Sequence, residues 1–289
     1  MEEKIIDHYS LSGRSDTDNP DINLPDRILS GLNGAGKNLE NLEVKDLSVI
    51  DQLHTGGHLA TIGVLKKACL EPGAKVLDAG CGIGGSSRIL AQEFKFNVTG
   101  IDIVEEFIAT AQFLTELTGK NHDFNNLIEF KQGSILEIPF PDGEYDAVLS
   151  QHTLMNIQEK DVVFKEFSRV LKPGGLLFLH EVVQKSDIPI DLPVPWAASH
   201  DISFLNAWDT LLANLNKNGF ELVHYSDEFA QARKWWTRVK EVAEKFLENP
   251  RPLGPHIIFG KNGKEFGKNM YSNIETKRIS VVEAVLKKI

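Results

Sequence analysis

From Lys75 onward the apolar positions fall into short runs that alternate with stretches of helical periodicity. KVLDAG (Lys75–Gly80) is a run of mostly apolar residues ending in glycine, which predicts a strand buried on both faces. A helix is expected from Gly84 to about Glu93, then a strand at FNVTGID (Phe96–Asp102), then a helix from near Val104 to just before Gly119. LIEFKQG (Leu127–Gly133), YDAVLSQ (Tyr145–Gln151) and GLLFLHEV (Gly175–Val182) read as three further strands. Between the last two, Lys160–Leu171 is helical and is stopped by Lys172-Pro173-Gly174-Gly175. Strict βαβα alternation predicts a parallel sheet covered on both faces.

The flanks follow another rhythm. Residues 1–50 are polar, with a weak helical piece at Leu39–Ile50. After Val182 comes a proline-punctuated loop, IPIDLPVPW (Ile188–Trp196), then a helix at Asn206–Asn216 and a strand at FELVHY (Phe220–Tyr225). Glu228–Glu248 is strongly helical and aromatic, RPLGPH (Arg251–His256) breaks it, and Ile279–Lys288 reads as a terminal strand. So long an excursion between two strands that should pair is expected to cover something. The expected division is an N-terminal cap (1–60), a core (61–226), a helical lid insertion (227–278) and a terminal core strand (279–289). A homodimer interface is the alternative use for the aromatic insertion.

Charge narrows the partners. The 289 residues carry a formal net charge of −10, which disfavours nucleic acid and anionic membranes. No apolar run approaches the ~20 residues that span a bilayer, and MEEKIIDHYSLSGRSD lacks the apolar stretch of a secretion signal. The two cysteines, Cys69 and Cys81, lack metal-ligand spacing, and the nine histidines do not pair with acids at such spacing. A cytoplasmic protein with no metal, no nucleic-acid partner and no membrane span is the expectation.

Chemistry concentrates in VLDAGCGIGGSS (Val76–Ser87). Gly80, Gly82 and Gly85 formally satisfy the dinucleotide fingerprint G-x-G-x-x-G, and Asp102 closes the next strand where an acid suits a ribose diol. Asp78 argues against a pyrophosphate, because a carboxylate there would crowd it and suits a cationic or amino-bearing ligand. With Glu144-Tyr145-Asp146-Ala147-Val148 opening the fourth strand and LKPGG before the fifth, the chain resembles class I S-adenosylmethionine (SAM)-dependent methyltransferases over about residues 56–183. DQLHTGGHLAT (Asp51–Thr61) and SQHTLMNIQEKDVVFKEFSRVLKPGG (Ser150–Gly175) resemble the group of sarcosine/dimethylglycine and phosphoethanolamine N-methyltransferases, with quinone-biosynthesis methyltransferases as near relatives.

The resemblance implies a Rossmann-like, seven-stranded, mostly parallel α/β sheet with an antiparallel last strand, an N-terminal segment and a helical lid. It implies SAM as cofactor, with S-adenosylhomocysteine as product. Gly80, Gly82 and Gly84 would lie under its methionine and ribose parts, Asp102 would take the ribose hydroxyls and Ile103 would pack on adenine. Gln151 would flank the sulfonium or the methionine. Gln52 or Thr55 would touch the methionine carboxylate or amine, unless Thr-Gly-Gly only caps the following helix. The family often places an acid after the third strand to accept the adenine amino group. Here the pair is Gly133-Ser134, so serine, backbone or Gln132 must serve.

On the acceptor side, His152 is a candidate base or a structural hydrogen-bonder, and Met155 follows it. Glu181 is a candidate for binding a cationic amine. Tyr9, Trp196, Trp235 and Trp236 are candidates for holding an ammonium group by cation–π attraction, or packing surface. The acceptor is expected to be a small molecule, and an amine of the sarcosine or dimethylglycine kind is favoured because an amine needs only to be deprotonated. The alternatives are C- or O-methylation of a quinol, phenol or isoprenoid, and a SAM-binding protein without catalysis.

Overall fold

The computed structural model describes residues 1–10, 22–120, 122–246, 251–260 and 263–289. Its seven strands are β1 (Lys75–Ala79), β2 (Asn97–Asp102), β3 (Ile128–Gln132), β4 (Tyr145–Gln151), β5 (Leu171–Gln184), β6 (Phe220–Asp227) and β7 (Ile279–Lys288). They form one sheet in the order β3-β2-β1-β4-β5-β7-β6. The first five strands are parallel, and β7 slots antiparallel between β5 and β6. The expected fold class holds.

The apolar runs are continuous because both faces are covered. Val76 and Leu77, adjacent in β1, enter different cores: Val76 packs with Leu90, Leu149 and Phe178, and Leu77 with Val148, Phe164 and Phe167. The edge strand β6 instead alternates exposed positions with covered ones, Phe220 buried and the rest half-buried, as a strand with one wet face must. The crossover helices are α5 (Gly85–Phe94), α6 (Glu105–Gly119) and α7 (Lys160–Val170), with α8 (Trp208–Lys217) before β6.

Among the described residues four helices precede the sheet: α1 (Glu2–Tyr9), α2 (Leu24–Gly34), α3 (Val44–Asp51) and α4 (Gly57–Leu65). The single helix expected at Leu39–Ile50 is interrupted. A 3-10 turn at Leu39–Asn41 gives way to α3, whose start is fixed by a capping box in which Glu43 N–H donates to Asp46 Oδ2 at 3.0 Å. Between β6 and β7 lie α9 (Phe229–Lys245), α10 (His256–Phe259) and α11 (Gly263–Glu275). The expected helix at Glu228–Glu248 runs two residues past the described ones at its end. This insertion meets the N-terminal helices: Leu253, Ile257 and Ile258 share a core with Leu24, Ile28 and Leu32. Among the described residues no helix is long and apolar enough to cross a membrane.

Candidate active site

A cavity of about 190 Å³ opens at the carboxyl ends of β1, β2 and β4, where parallel α/β sheets place ligands. The glycines of the first loop have different tasks. Gly80, at φ +83°, leaves no room for a side chain because Thr153 presses against it. Gly82, at φ +53°, has nothing within 4 Å of where a Cβ would point, so bare backbone faces the cavity. Gly84 was expected beneath the ligand with the other two. Instead it stands off the wall at φ +80° as the N-cap of α5, where a Cβ would lie 2.7 Å from Phe130.

Asp102 binds that loop to β2. Its Oδ2 accepts from Gly82 N–H and its Oδ1 from Val104 N–H, each at 2.9 Å, and each oxygen keeps a second lone pair. Burial pushes its pKa up, while the backbone donors pull it down. Ile103 follows it on the wall. Asp78 receives Ser87 Oγ–H at 2.6 Å and is pushed by burial to about 6.

Gln151, at the end of β4, is held by two hydroxyls: Ser86 Oγ (2.8 Å) and Thr61 Oγ1 (3.0 Å) both donate to its Oε1. Its Nε2 is left buried without a partner on the cavity wall. The segment before α4 departs from expectation. Gln52 donates to Asp51 Oδ1 at 3.2 Å and does not line the cavity; Thr55 accepts from Trp236 Nε1 at 3.2 Å and does not line it either. Nor does Thr55 cap α4, whose N-cap is Gly56 with no side-chain bond. Asp51, Leu53 and His54 reach the wall instead. α3 ends at Asp51 and the chain bends at His54 before α4, so no regular period sets which of these side chains face inward.

The far end of the cavity carries a residue that the sequence did not single out. Gly133 and Ser134 line it, and Ser134 Oγ donates to the carboxylate of Glu2 on α1 and accepts from Leu136 N–H at 3.0 Å. Gln132 points elsewhere, donating to the Ile103 carbonyl at 3.2 Å. Glu2 and Ser134 are 132 positions apart, beyond any local pattern.

On the opposite side three histidines meet. The ring of His152 stacks on His180 with centroids 5.2 Å apart, and His54 sits edge-on to both at 5.9 and 5.8 Å. His152 has φ +51°, anchored by its N–H to the His180 carbonyl at 2.9 Å. Burial lowers the pKa of His54 to about 4 and of His180 to about 3. Burial first, and then the two neighbouring rings, take His152 well below the ordinary imidazole range. All three are therefore neutral near pH 7, and His152 Nε2 is buried without a partner. Among the described residues no group of His, Cys, Asp and Glu has the geometry to hold a metal ion.

Tyr9, Met155, Trp196 and Trp236 line the same side. Tyr9 Oη donates to Asn156 Oδ1 at 2.9 Å, and Asn156 Nδ2 donates to the Trp196 carbonyl at 2.7 Å. Two expected contacts fall outside. Trp235 packs over Gly57, 3.1 Å from where its Cβ would be, because adjacent helix positions point about 100° apart and only Trp236 turns inward. Glu181 does not line this cavity. It is fully buried beneath the loop after β4, accepting from Ser150 Oγ (2.7 Å), Thr153 N–H (3.0 Å) and Leu154 N–H (3.1 Å). Burial raises its pKa to about 7.

The glycine loop, β4 and β5 as far as Leu179 lie inside a stretch, residues 77–179, that matches the family profile described as a methyltransferase domain. Residues 77–179 are a methyltransferase domain. Over 125 residues the chain is 42% identical to 2-methyl-6-phytyl-1,4-hydroquinone methyltransferase of Synechocystis sp., covering 43% of this chain and 36% of that protein. Over 198 residues it is 29% identical to phosphoethanolamine N-methyltransferase 1 of Arabidopsis thaliana, covering 68% of this chain and 39% of that one. The chain thus spans well under half the length of these relatives. Among solved structures, the [4+2]-cyclase SpnF superposes with a TM-score of 0.65 at 21% identity, covering 92% of this chain and 93% of that one. That likeness is one of fold.

Proposed function

We propose that this chain binds S-adenosylmethionine in the cavity and transfers its methyl group to a small-molecule acceptor. The observation that carries the reading is the bare Gly82 backbone, held by Asp102 and facing the cavity within the methyltransferase domain. The lining suits the group. Asp102 retains lone pairs for ribose hydroxyls, the unpaired Gln151 Nε2 awaits an acceptor such as a carboxylate, and Asp78 offers a negative neighbour for a cation. Bound there, SAM supplies a methyl group already activated by its sulfonium.

The protein's part is alignment and exclusion of water. The helices between β6 and β7 serve as a lid: Trp236 of α9, Phe259 of α10 and Met270 of α11 stand on the wall beside Tyr9 of α1. Four aromatic or thioether side chains, from Tyr9, Met155, Trp196 and Trp236, favour an acceptor that carries or acquires positive charge, at about 0.5–2 kcal/mol per aromatic contact. This supports N-methylation of a small amine of the sarcosine or dimethylglycine kind. His152, held neutral, offers Nε2 as a hydrogen-bond partner to an acceptor that enters as the free base. The 42% identity to a quinol methyltransferase favours a second reading, C-methylation of a hydroquinone.

Titration calorimetry with S-adenosylhomocysteine, followed by assays with methyl-labelled SAM over amines and hydroquinones, tests both. Saturable binding and label in an amine are expected. Label in a hydroquinone selects the second reading. Binding without turnover would leave a SAM-binding protein, and absence of binding would end the proposal.

A further inference from the structure

The far end of the cavity is built from two elements distant in the chain. Ile103, Val104 and Phe107 wall it from the β2–α6 side and Ile5 from α1, around the Gly133–Ser134 backbone. Apolar walls of this kind suit a flat ring. At the edge of the slot two polar side chains meet, the Ser134 hydroxyl and the Glu2 carboxylate. The hydroxyl has already spent its proton on Glu2 and accepts from Leu136 N–H. An ionised carboxylate only accepts, and a single hydrogen bond leaves it further lone pairs. The slot therefore presents acceptors to the rim of a flat ligand and calls for a donor there.

Glu2 is held in place. Along α1 the residues Glu2, Ile5 and Tyr9 share the cavity-facing side, at the three- and four-residue steps of a helix. Tyr9 is bonded to Asn156, the His8 ring is 3.1 Å from the Pro195 carbonyl, and Lys4 pairs with Asp201 at 2.7 Å. These contacts fix the far end and outer side of the helix that carries Glu2.

We infer that Glu2 selects the nucleobase of the bound nucleoside, its carboxylate accepting the exocyclic amino group of adenine. The inference rests on the proposed nucleoside-bearing ligand. It places base recognition on an N-terminal helix outside residues 77–179, on the same helix whose Tyr9 lines the acceptor side.

The test compares S-adenosylhomocysteine with its analogue lacking the 6-amino group, by titration calorimetry on the full chain and on Glu2→Ala and Glu2→Gln. The full chain is expected to prefer the amino form by about tenfold or more, as a hydrogen bond to a charged group implies. Glu2→Ala is expected to bring the two ligands within about twofold. Glu2→Gln, which keeps a carbonyl acceptor, should fall between. Each ratio is taken on one sample, so an unfolded fraction cancels. If Glu2→Ala binds neither ligand, Glu2→Gln decides: a preference cut threefold or more supports the inference and an unchanged one overturns it. Equal affinities in the full chain, or an undiminished preference in Glu2→Ala, also overturn it while leaving the site reading standing. A full chain that binds neither ligand overturns both.

Discussion

Arg88 on α5 and Asp51 at the end of α3 form an ion pair of 2.9 Å, with both side chains sealed from solvent. Arg88 also donates to the Ile83 carbonyl at 2.8 Å and to Thr115 Oγ1 at 3.0 Å. One guanidinium thus ties the N-terminal segment, the glycine loop and α6 together. The backbone is equally close: a Cβ on Gly85 would strike the Asp51 carbonyl oxygen. Asp51 lies on the cavity wall, so the pair positions the site as well as the fold.

Removing one partner strands the other charge in the interior. Asp51→Ala is expected to lower unfolding free energy by about 3–5 kcal/mol, and Asp51→Ala with Arg88→Met by less, since no charge is then left alone. Urea titrations of the two variants check the order.

The glycines predict a contrast. At Gly82 an added Cβ has no atom within 4 Å, so Gly82→Val should fold, at a cost of about 1–2 kcal/mol for a side chain at positive φ. It should bind S-adenosylhomocysteine at least tenfold more weakly, because its methyls occupy the cavity. Gly84→Val adds a collision with Phe130 and should lose more stability than Gly82→Val. Thermal melts and calorimetry on the pair separate the two roles.

Glu181 gives a pH dependence. Its folded pKa of about 7 lies above the ordinary 4.5, so the folded state holds a proton that the unfolded state has released between those values. Stability from this group is complete below about pH 4.5 and is lost as pH rises through 7. Glu181→Gln cannot titrate. Relative to the native chain it should therefore gain stability between pH 5 and 8, by up to roughly 3 kcal/mol. The buried histidines act in the opposite sense but are common to both proteins. Urea unfolding at the two pH values reads the difference, and an unchanged gap would assign the titration elsewhere.

Trp236 tests the lid. Its Nε1 donates to Thr55 Oγ1 at 3.2 Å while its ring lines the cavity. Trp236→Phe keeps an aromatic face and removes the donor. Affinity for S-adenosylhomocysteine should stay within about twofold and kcat should fall several-fold, because closure rather than cofactor contact is weakened. A fall in affinity with kcat unchanged would place Trp236 against the cofactor.

The sequence by itself determined the parallel core. Runs such as Lys75–Gly80 are apolar at consecutive positions because both sheet faces are buried, and glycine and proline mark where they end. Asp102 and Gly82 were legible for the same local reason: strand, loop and helix follow one another, and each residue's place at a strand end is set by its neighbours. Tertiary structure alone decided what lies across the cavity. Glu2 reaches Ser134, Asp51 reaches Arg88 and Trp236 reaches Thr55 over separations of 132, 37 and 181 positions, through packing of helices whose own patterns say only which face is apolar. Glu181 shows the limit most plainly. Its position at the end of a strand suggested a mouth-facing acid, yet β5 runs two residues beyond the expected end at Val182, and the loop after β4 folds over it. Whether a carboxylate at a strand end meets solvent or backbone donors depends on what the chain lays above it, and that is not written beside it.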